Sequence, residues 1–169
     1  MLERSNLFRE VQHFRQIWLW VLLLAIAAVS IWGAVQQLLL EIPFGNNPAP
    51  DSVMIPLAII FGVGFPLGFY FMNLTTEVHQ DGVYYRFSPF HLRFHRIALE
   101  DILEYEVRKY SAIRDYGGWG IRYGRKGKAY NVSGNRGVWI RLSSGGSIMF
   151  GSQRPEDFAA AIEQARNRS

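Results

Sequence analysis

The sequence predicts a membrane α-helical hairpin followed by a small mainly-β barrel of about seven strands, capped by a C-terminal α-helix. Three observations carry this reading. Two runs of 25 residues, 16–40 and 52–76, contain no charged side chain. Residues 75–169, 95 in number, break into short β-type runs separated by Gly, Asp, Asn and Ser turns. At the end the period changes, with Phe158, Ala161, Ile162 and Ala165 recurring on one helical face.

A membrane span needs roughly 20 mostly apolar residues to cross about 30 Å of hydrocarbon. Residues 17–40 form the first expected span and 54–74 the second, the latter interrupted by Pro56 and Pro66. The first run is too long for a signal peptide, whose apolar core is about 7–15 residues, and its leader carries Glu3 and Glu10. Residues 41–53 link the spans; Pro43, Gly45, Asn46, Asn47, Pro48 and Pro50 make the stretch turn-rich, and it holds no base. Arg4, Arg9 and Arg15 precede the first span and 15 Lys and Arg residues follow the second. The positive-inside rule therefore places both termini in the cytoplasm, the linker outside, and the protein in the inner (plasma) membrane. Trp18 and Trp20 fall at the expected inner interface.

Residues 1–16 read as a cytoplasmic amphipathic extension of the first helix, because Leu7, Val11, Phe14 and Trp18 are spaced i, i+4, i+7, i+11. Gly64 and Gly68 form a small-xxx-small pair suited to helix packing, with the first span of the same chain as the expected partner and a second protomer as the alternative. No Asp, Glu, Lys, Arg or His lies within either span, which argues against an ion or proton pathway.

In residues 75–169 the Asp81-Gly82 step between alternating runs signals a hairpin. Pro155 suits the first turn of the last helix, and Glu156 and Asp157 complement its dipole. Three stretches carry a resemblance: Phe8-x-Glu10-x-Gln12-x-Phe14-Arg15-Gln16-x-Trp18 ahead of the hairpin; Tyr116-Gly117-Gly118-Trp119-Gly120-Ile121-Arg122 with residues 129–138 (AYNVSGNRGV); and residues 148–156 (IMFGSQRPE). Together they resemble an uncharacterised prokaryotic family of small two-span membrane proteins with a C-terminal domain similar to the bacterial pleckstrin-homology (PH) domain. The resemblance implies a PH-like barrel over 75–169. It implies no activity, since PH-like folds serve lipid binding, peptide binding and assembly alike.

The chain contains no cysteine, which excludes disulfide frameworks, thiol catalysis and Cys-based zinc sites. His91 and His95 are four apart in a stretch that reads as turn and strand, so no metal site is expected. The glycines around Trp119 do not open a helix, as a dinucleotide fingerprint requires, and no serine has a nucleophile-elbow context. The sequence predicts no enzyme and no cofactor. Two binding surfaces are expected instead. The loop Tyr116, Gly117, Gly118, Trp119, Gly120 reads as an exposed interaction loop. Arg122, Arg125, Lys126, Lys128 and Arg136, followed by Arg141 and interleaved with Tyr123, Tyr130 and Trp139, read as a basic patch whose nearest anionic target is the bilayer rather than nucleic acid. The functional expectation is a membrane-anchored module for protein–protein interaction or self-association. Anionic headgroup binding, or service as an accessory subunit of a membrane enzyme or transporter, are the alternatives.

Overall fold

A computed structural model describes residues 6–124 and 127–168. The chain divides into two compact units, one formed by residues 15–71 and the other by residues 1–14 together with 72–169.

The first unit is helical. Helix α1 (Ile17–Leu38) is followed by α2 (Asp51–Ile59), a π-helical turn (Ile60–Gly64) and α3 (Phe65–Phe71). Helix α1 and the continuous run Asp51–Phe71 are 22 and 21 residues long with mean hydropathy 2.2 and 2.0, long and apolar enough to span a membrane. The π turn closes with the Phe65 N–H donating to the Ile60 carbonyl. It lies just ahead of Pro66, whose missing N–H and bulky ring interrupt a regular ladder. The second apolar run begins at Asp51 and ends at Phe71, three residues earlier at each end than expected, because Asn73 and Leu74 already pair as a strand. Gln37 Nε2 donates to the Ala49 carbonyl (2.7 Å) and to Asp51 Oδ1 (2.6 Å), fastening the linker to the end of α1.

The glycines of this unit correct one expectation. Gly62, not the Gly64/Gly68 pair, meets α1: a Cβ there would lie 2.8 Å from the Ile31 side chain. Gly64 and Gly68 are both exposed, and a Cβ on Gly68 would meet nothing within 4 Å. The π turn shifts the helix phase, so a glycine two residues earlier faces the neighbour.

The second unit holds nine strands among the described residues, in two sheets. β1 (Phe8–His13), β2 (Asn73–His79), β3 (Gly82–Ser88) and β4 (His95–Ala98) form an antiparallel sheet in that order. A 3₁₀ turn (Leu99–Asp101) leads to β5 (Ile102–Lys109), the short helix α4 (Ala112–Tyr116), β6 (Gly120–Gly124), β7 (Gly127–Asn131), β8 (Arg136–Leu142) and β9 (Ser147–Gly151). These strands form a second sheet in the order β5-β8-β9-β7-β6, in which β7 and β9 run parallel. The two sheets share no strand, so the expected barrel of about seven strands is instead a pair of open sheets. The close approach of β8 and β9 explains one glycine of the Asn-Arg-Gly stretch. A Cβ on Gly137 would sit 2.1 Å from the Phe150 carbonyl oxygen.

Helix α5 (Pro155–Arg166) starts on Pro155, carries Glu156 and Asp157 in its first turn, and buries Phe158, Ala161, Ile162 and Ala165. It packs on strands of both sheets: β1, β2 and β3 of the first, β5 and β8 of the second. The core between them is aromatic. Phe158 stacks on Phe8 at 5.1 Å and meets Phe150 edge-on at 6.1 Å, while Tyr85 contacts Tyr130 and Phe150.

The N-terminal segment differs most from expectation. Residues 8–13 are a strand, not a helical extension, and they pair along β2 from Phe8↔Val78 to His13↔Asn73. Phe8, Glu10, Gln12 and Phe14 face inward, whereas Val11 is 43% exposed. The domain that the sequence suggested over 75–169 therefore begins at β2, Asn73–His79, and is completed by a strand that precedes the helical hairpin in sequence.

Candidate functional site

Two arrangements stand out in the second unit, a polar seam and a cleft. The seam joins β1 to the segment between β9 and α5. Gln12, 2% exposed, donates through Nε2 to the Gly151 carbonyl at 2.7 Å. The Glu10 carboxyl group, on a residue 8% exposed, accepts from Ser152 Oγ (2.6 Å) and from the Gln153 backbone N–H (2.8 Å). Ser152 Oγ also accepts from the Arg154 N–H at 3.0 Å, and the Arg154 guanidinium donates to the Arg9 carbonyl at 2.7 Å while lying over the Phe8 ring. Two stretches that lie about 140 residues apart in sequence thus interlock through hydrogen bonds of a strength charged partners make possible.

The cleft has a volume of about 530 Å³ and is walled by Arg108, Lys109, Tyr110, Asp115, Tyr116 and Trp139. Strand β5 delivers Arg108 and Lys109, and Tyr110 follows it directly. Ser111 then caps α4: its Oγ accepts from the Arg114 N–H (3.2 Å), and its own N–H donates to the Asp115 carboxylate (2.9 Å). Helix α4 ends on Gly117 at φ +76°, a left-handed conformation that favours glycine, with the Gly117 and Gly118 N–H groups returning to the Ile113 and Ala112 carbonyls at 2.8 Å. This fixes Tyr116 against Tyr110, Ala112, Ala129 and Met149, with Trp119 and Trp139 packed on the cluster. The Arg108 guanidinium lies 3.8 Å from the Trp139 ring centroid and pairs with Glu106. Burial pushes the Tyr110 and Tyr116 hydroxyls above their ordinary pKa, so both stay protonated at neutral pH. The cleft therefore offers an indole face covered by a guanidinium, Trp139 under Arg108, above two buried tyrosines.

The predicted interaction loop is not a free loop. Tyr116 is buried, Trp119 is half-buried, and the Gly120 N–H donates to the Asn131 side chain at 2.9 Å. What reaches the surface is the cleft beside Tyr116; of its other walls, Arg108 and Tyr110 gave no motif-level signal, and Trp139 stood out only as an aromatic among the bases.

Among the described residues, the bases of the predicted patch are separated. Arg122 Nε donates to the Trp119 carbonyl at 2.8 Å and braces the glycine-rich turn. Lys128 Nζ lies over the rings of Tyr123 and Tyr130, at 5.1 and 4.8 Å. Arg136 pairs with Glu156 at the start of α5. Lys128 is level with Ile148 on β9, whereas Arg136 stands next to Gly137, which pairs with Gly151, so these two bases lie at opposite ends of the sheet. Strands that hydrogen-bond in this order separate side chains that are close in sequence. Arg125 and Lys126 lie outside the described residues. His91 and His95 are neighbours, with ring centroids 4.3 Å apart, packed on Tyr85 and Tyr130.

No protein of curated function matches the chain in sequence. A family model described as a family of unknown function (DUF6141) matches residues 2–168. The match takes in the N-terminal strand, the apolar hairpin and both sheets, and leaves out only the first and last residues; the chain belongs to that family.

Proposed function

We propose that this chain is a membrane-anchored binding module, in which a PH-like two-sheet domain at the cytoplasmic face holds a segment of a partner protein in the cleft between α4, β5 and β8. The observation that carries the reading is the composition of that cleft: Tyr110, Tyr116, Trp139 and Arg108 converge on one concavity. Tyr, Trp and Arg dominate binding energy at protein interfaces, because they combine large apolar area with directed hydrogen bonds. The surplus of bases in residues 75–169, 15 against 10 acids, favours an acidic segment. The PH-like assignment is supported by two sheets packed on one C-terminal helix. The anchoring is supported by two apolar helices of spanning length and by the pairing of β1 with β2, which brings the chain on either side of the hairpin to one sheet.

The test is photo-crosslinking in the full-length protein, with the probe at Lys109 on the cleft lip or at Gln164 on the exposed side of α5. A specific adduct should form at Lys109, be absent at Gln164, and disappear when Arg108→Glu reverses the charge of the neighbouring wall residue. Equal capture at the two positions, or an adduct at Lys109 indifferent to the charge reversal, contradicts the reading.

A further inference from the structure

The loop between β3 and β4 carries three exposed large apolar side chains close together. Within five residues Phe90 is 64% exposed, Leu92 90% and Phe94 38%. Single exposed apolar residues are ordinary, but a contiguous group marks an interaction site. The loop is also held in shape. The His91 N–H donates to the Phe87 carbonyl at 2.8 Å, the Phe87 N–H donates to His91 Nδ1 at 3.3 Å, and the Arg86 guanidinium lies 4.8 Å from the Phe94 ring centroid. His91 packs on Tyr130, so it anchors the loop while its neighbours Phe90 and Leu92 remain exposed.

The register says where this loop starts. Ser88 pairs with Asn73, and Asn73 pairs with His13. Asn73 follows Phe71, the end of the second apolar helix, by two residues, and His13 precedes Ile17, the start of the first, by four. Two residues of extended chain reach at most about 7 Å. Chain connectivity thus ties the sheet end that launches the loop to the points where the chain leaves the apolar helices. From Phe87 to Ala98 there is no acid, while Arg93 and Arg96 are exposed.

We propose that the β3–β4 loop is seated in the headgroup layer of an anionic membrane leaflet, with Phe90, Leu92 and Phe94 in the interfacial apolar region and Arg93 on lipid phosphates. This rests on the membrane-anchored reading above and deepens it: the loop, not the basic β6–β7 turn, is the lipid contact. Apolar side chains flanked by bases bind such a surface by combining area burial with attraction to anionic lipid. The contact would fix the domain against the membrane instead of leaving it to swing on its tethers.

The absence of cysteine allows a direct test on the whole chain. Single variants Leu92→Cys, Leu24→Cys and Gln164→Cys are nitroxide-labelled and placed in nanodiscs of phosphatidylcholine and phosphatidylglycerol. Power saturation then compares accessibility to oxygen and to a water-soluble nickel chelate. Leu24, on the exposed face of α1, reports the span, and Gln164 reports solvent. The expected oxygen-to-nickel ratio at Leu92 is several-fold above that at Gln164 and below that at Leu24, and it falls toward the solvent value when Arg93→Glu is added. A solvent-like ratio at Leu92 with a lipid-like ratio at Leu24 overturns the loop proposal and leaves the anchor intact. A solvent-like ratio at Leu24 overturns the anchor and the loop proposal with it. Nickel protection at Leu92 that depends on two copies per disc, with spin–spin broadening, assigns the loop to self-association and also overturns it.

Discussion

Glu10 is where the chemistry of one side chain reaches furthest into the fold. It accepts hydrogen bonds from Ser152 and from the Gln153 N–H, both far away in sequence. Removing the acceptor leaves the buried Ser152 hydroxyl and the part-buried Gln153 N–H without it; a fully buried unsatisfied group costs about 1–3 kcal/mol and a partly hydrated one less. Glu10→Ala should therefore lower stability by about 2–4 kcal/mol, whereas Glu10→Gln, which keeps one carbonyl acceptor, should lose less. Denaturant midpoints of the detergent-solubilised chain, read by near-ultraviolet circular dichroism, check this; equal effects of the two substitutions would contradict it. His91 gives a second expectation. Its pKa is lowered first by burial, then by His95 and by Lys128. The unfolded chain then binds more protons than the folded one below the ordinary value of 6.5, so this contribution is complete above that pH and is lost as the pH falls through and below it. The midpoint should drop between about pH 7.5 and about pH 5.5, and His91→Phe, which retains a ring, should remove part of the drop. An identical pH profile in the variant would show that His91 is not the group responsible.

Strand β1 and helix α5 close the domain together, since Phe8 of one stacks on Phe158 of the other. A fragment beginning at residue 75 lacks β1 and should expose the edge of β2. Because His13 pairs with Asn73, joining residue 14 to residue 72 by a short hairpin turn should give a soluble, cooperatively folding domain without residues 15–71. In that joined domain Phe158→Ala should cost about 3–5 kcal/mol, measured by thermal and urea unfolding. A fragment 75–169 as stable as the joined domain would contradict the role given to β1. These elements also show what was legible in the sequence. Helix α5 was, because Pro155, its acidic first turn and its apolar face agree with one another. Strand β1 was not: its inward positions include Glu10 and Gln12, while Val11 faces out, so the alternation of apolar and polar residues that marks a strand is reversed at its centre. The leftover apolar residues happen to fall at helical spacing. The Gly-Trp segment was recognisable as a turn, but its burial depends on packing from β7 and β9, and the cleft walls come from β5, α4 and β8. No local pattern brings those together.

For the whole molecule the two charge-free runs were the most legible feature, because length and apolarity alone predict a helix long enough to span, whereas the number of strands and their order depend on pairings distant in sequence. The alternation β1, helical hairpin, β2 makes the account's central claim specific. If both helices cross the bilayer, β1 and β2 can pair only when residues 6–14 and 72–168 lie on one face. By the positive-inside rule the distribution of bases makes the cytoplasmic face the expected one, with Asn46 of the linker expected on the other. The most direct measurement is cysteine labelling in intact and permeabilised cells with a membrane-impermeant maleimide, using Asn46→Cys and Asn167→Cys in the otherwise cysteine-free chain. The account predicts that Asn46→Cys is labelled in intact cells and Asn167→Cys only after permeabilisation. Labelling of Asn167→Cys in intact cells, or of Asn46→Cys only after permeabilisation, would contradict it.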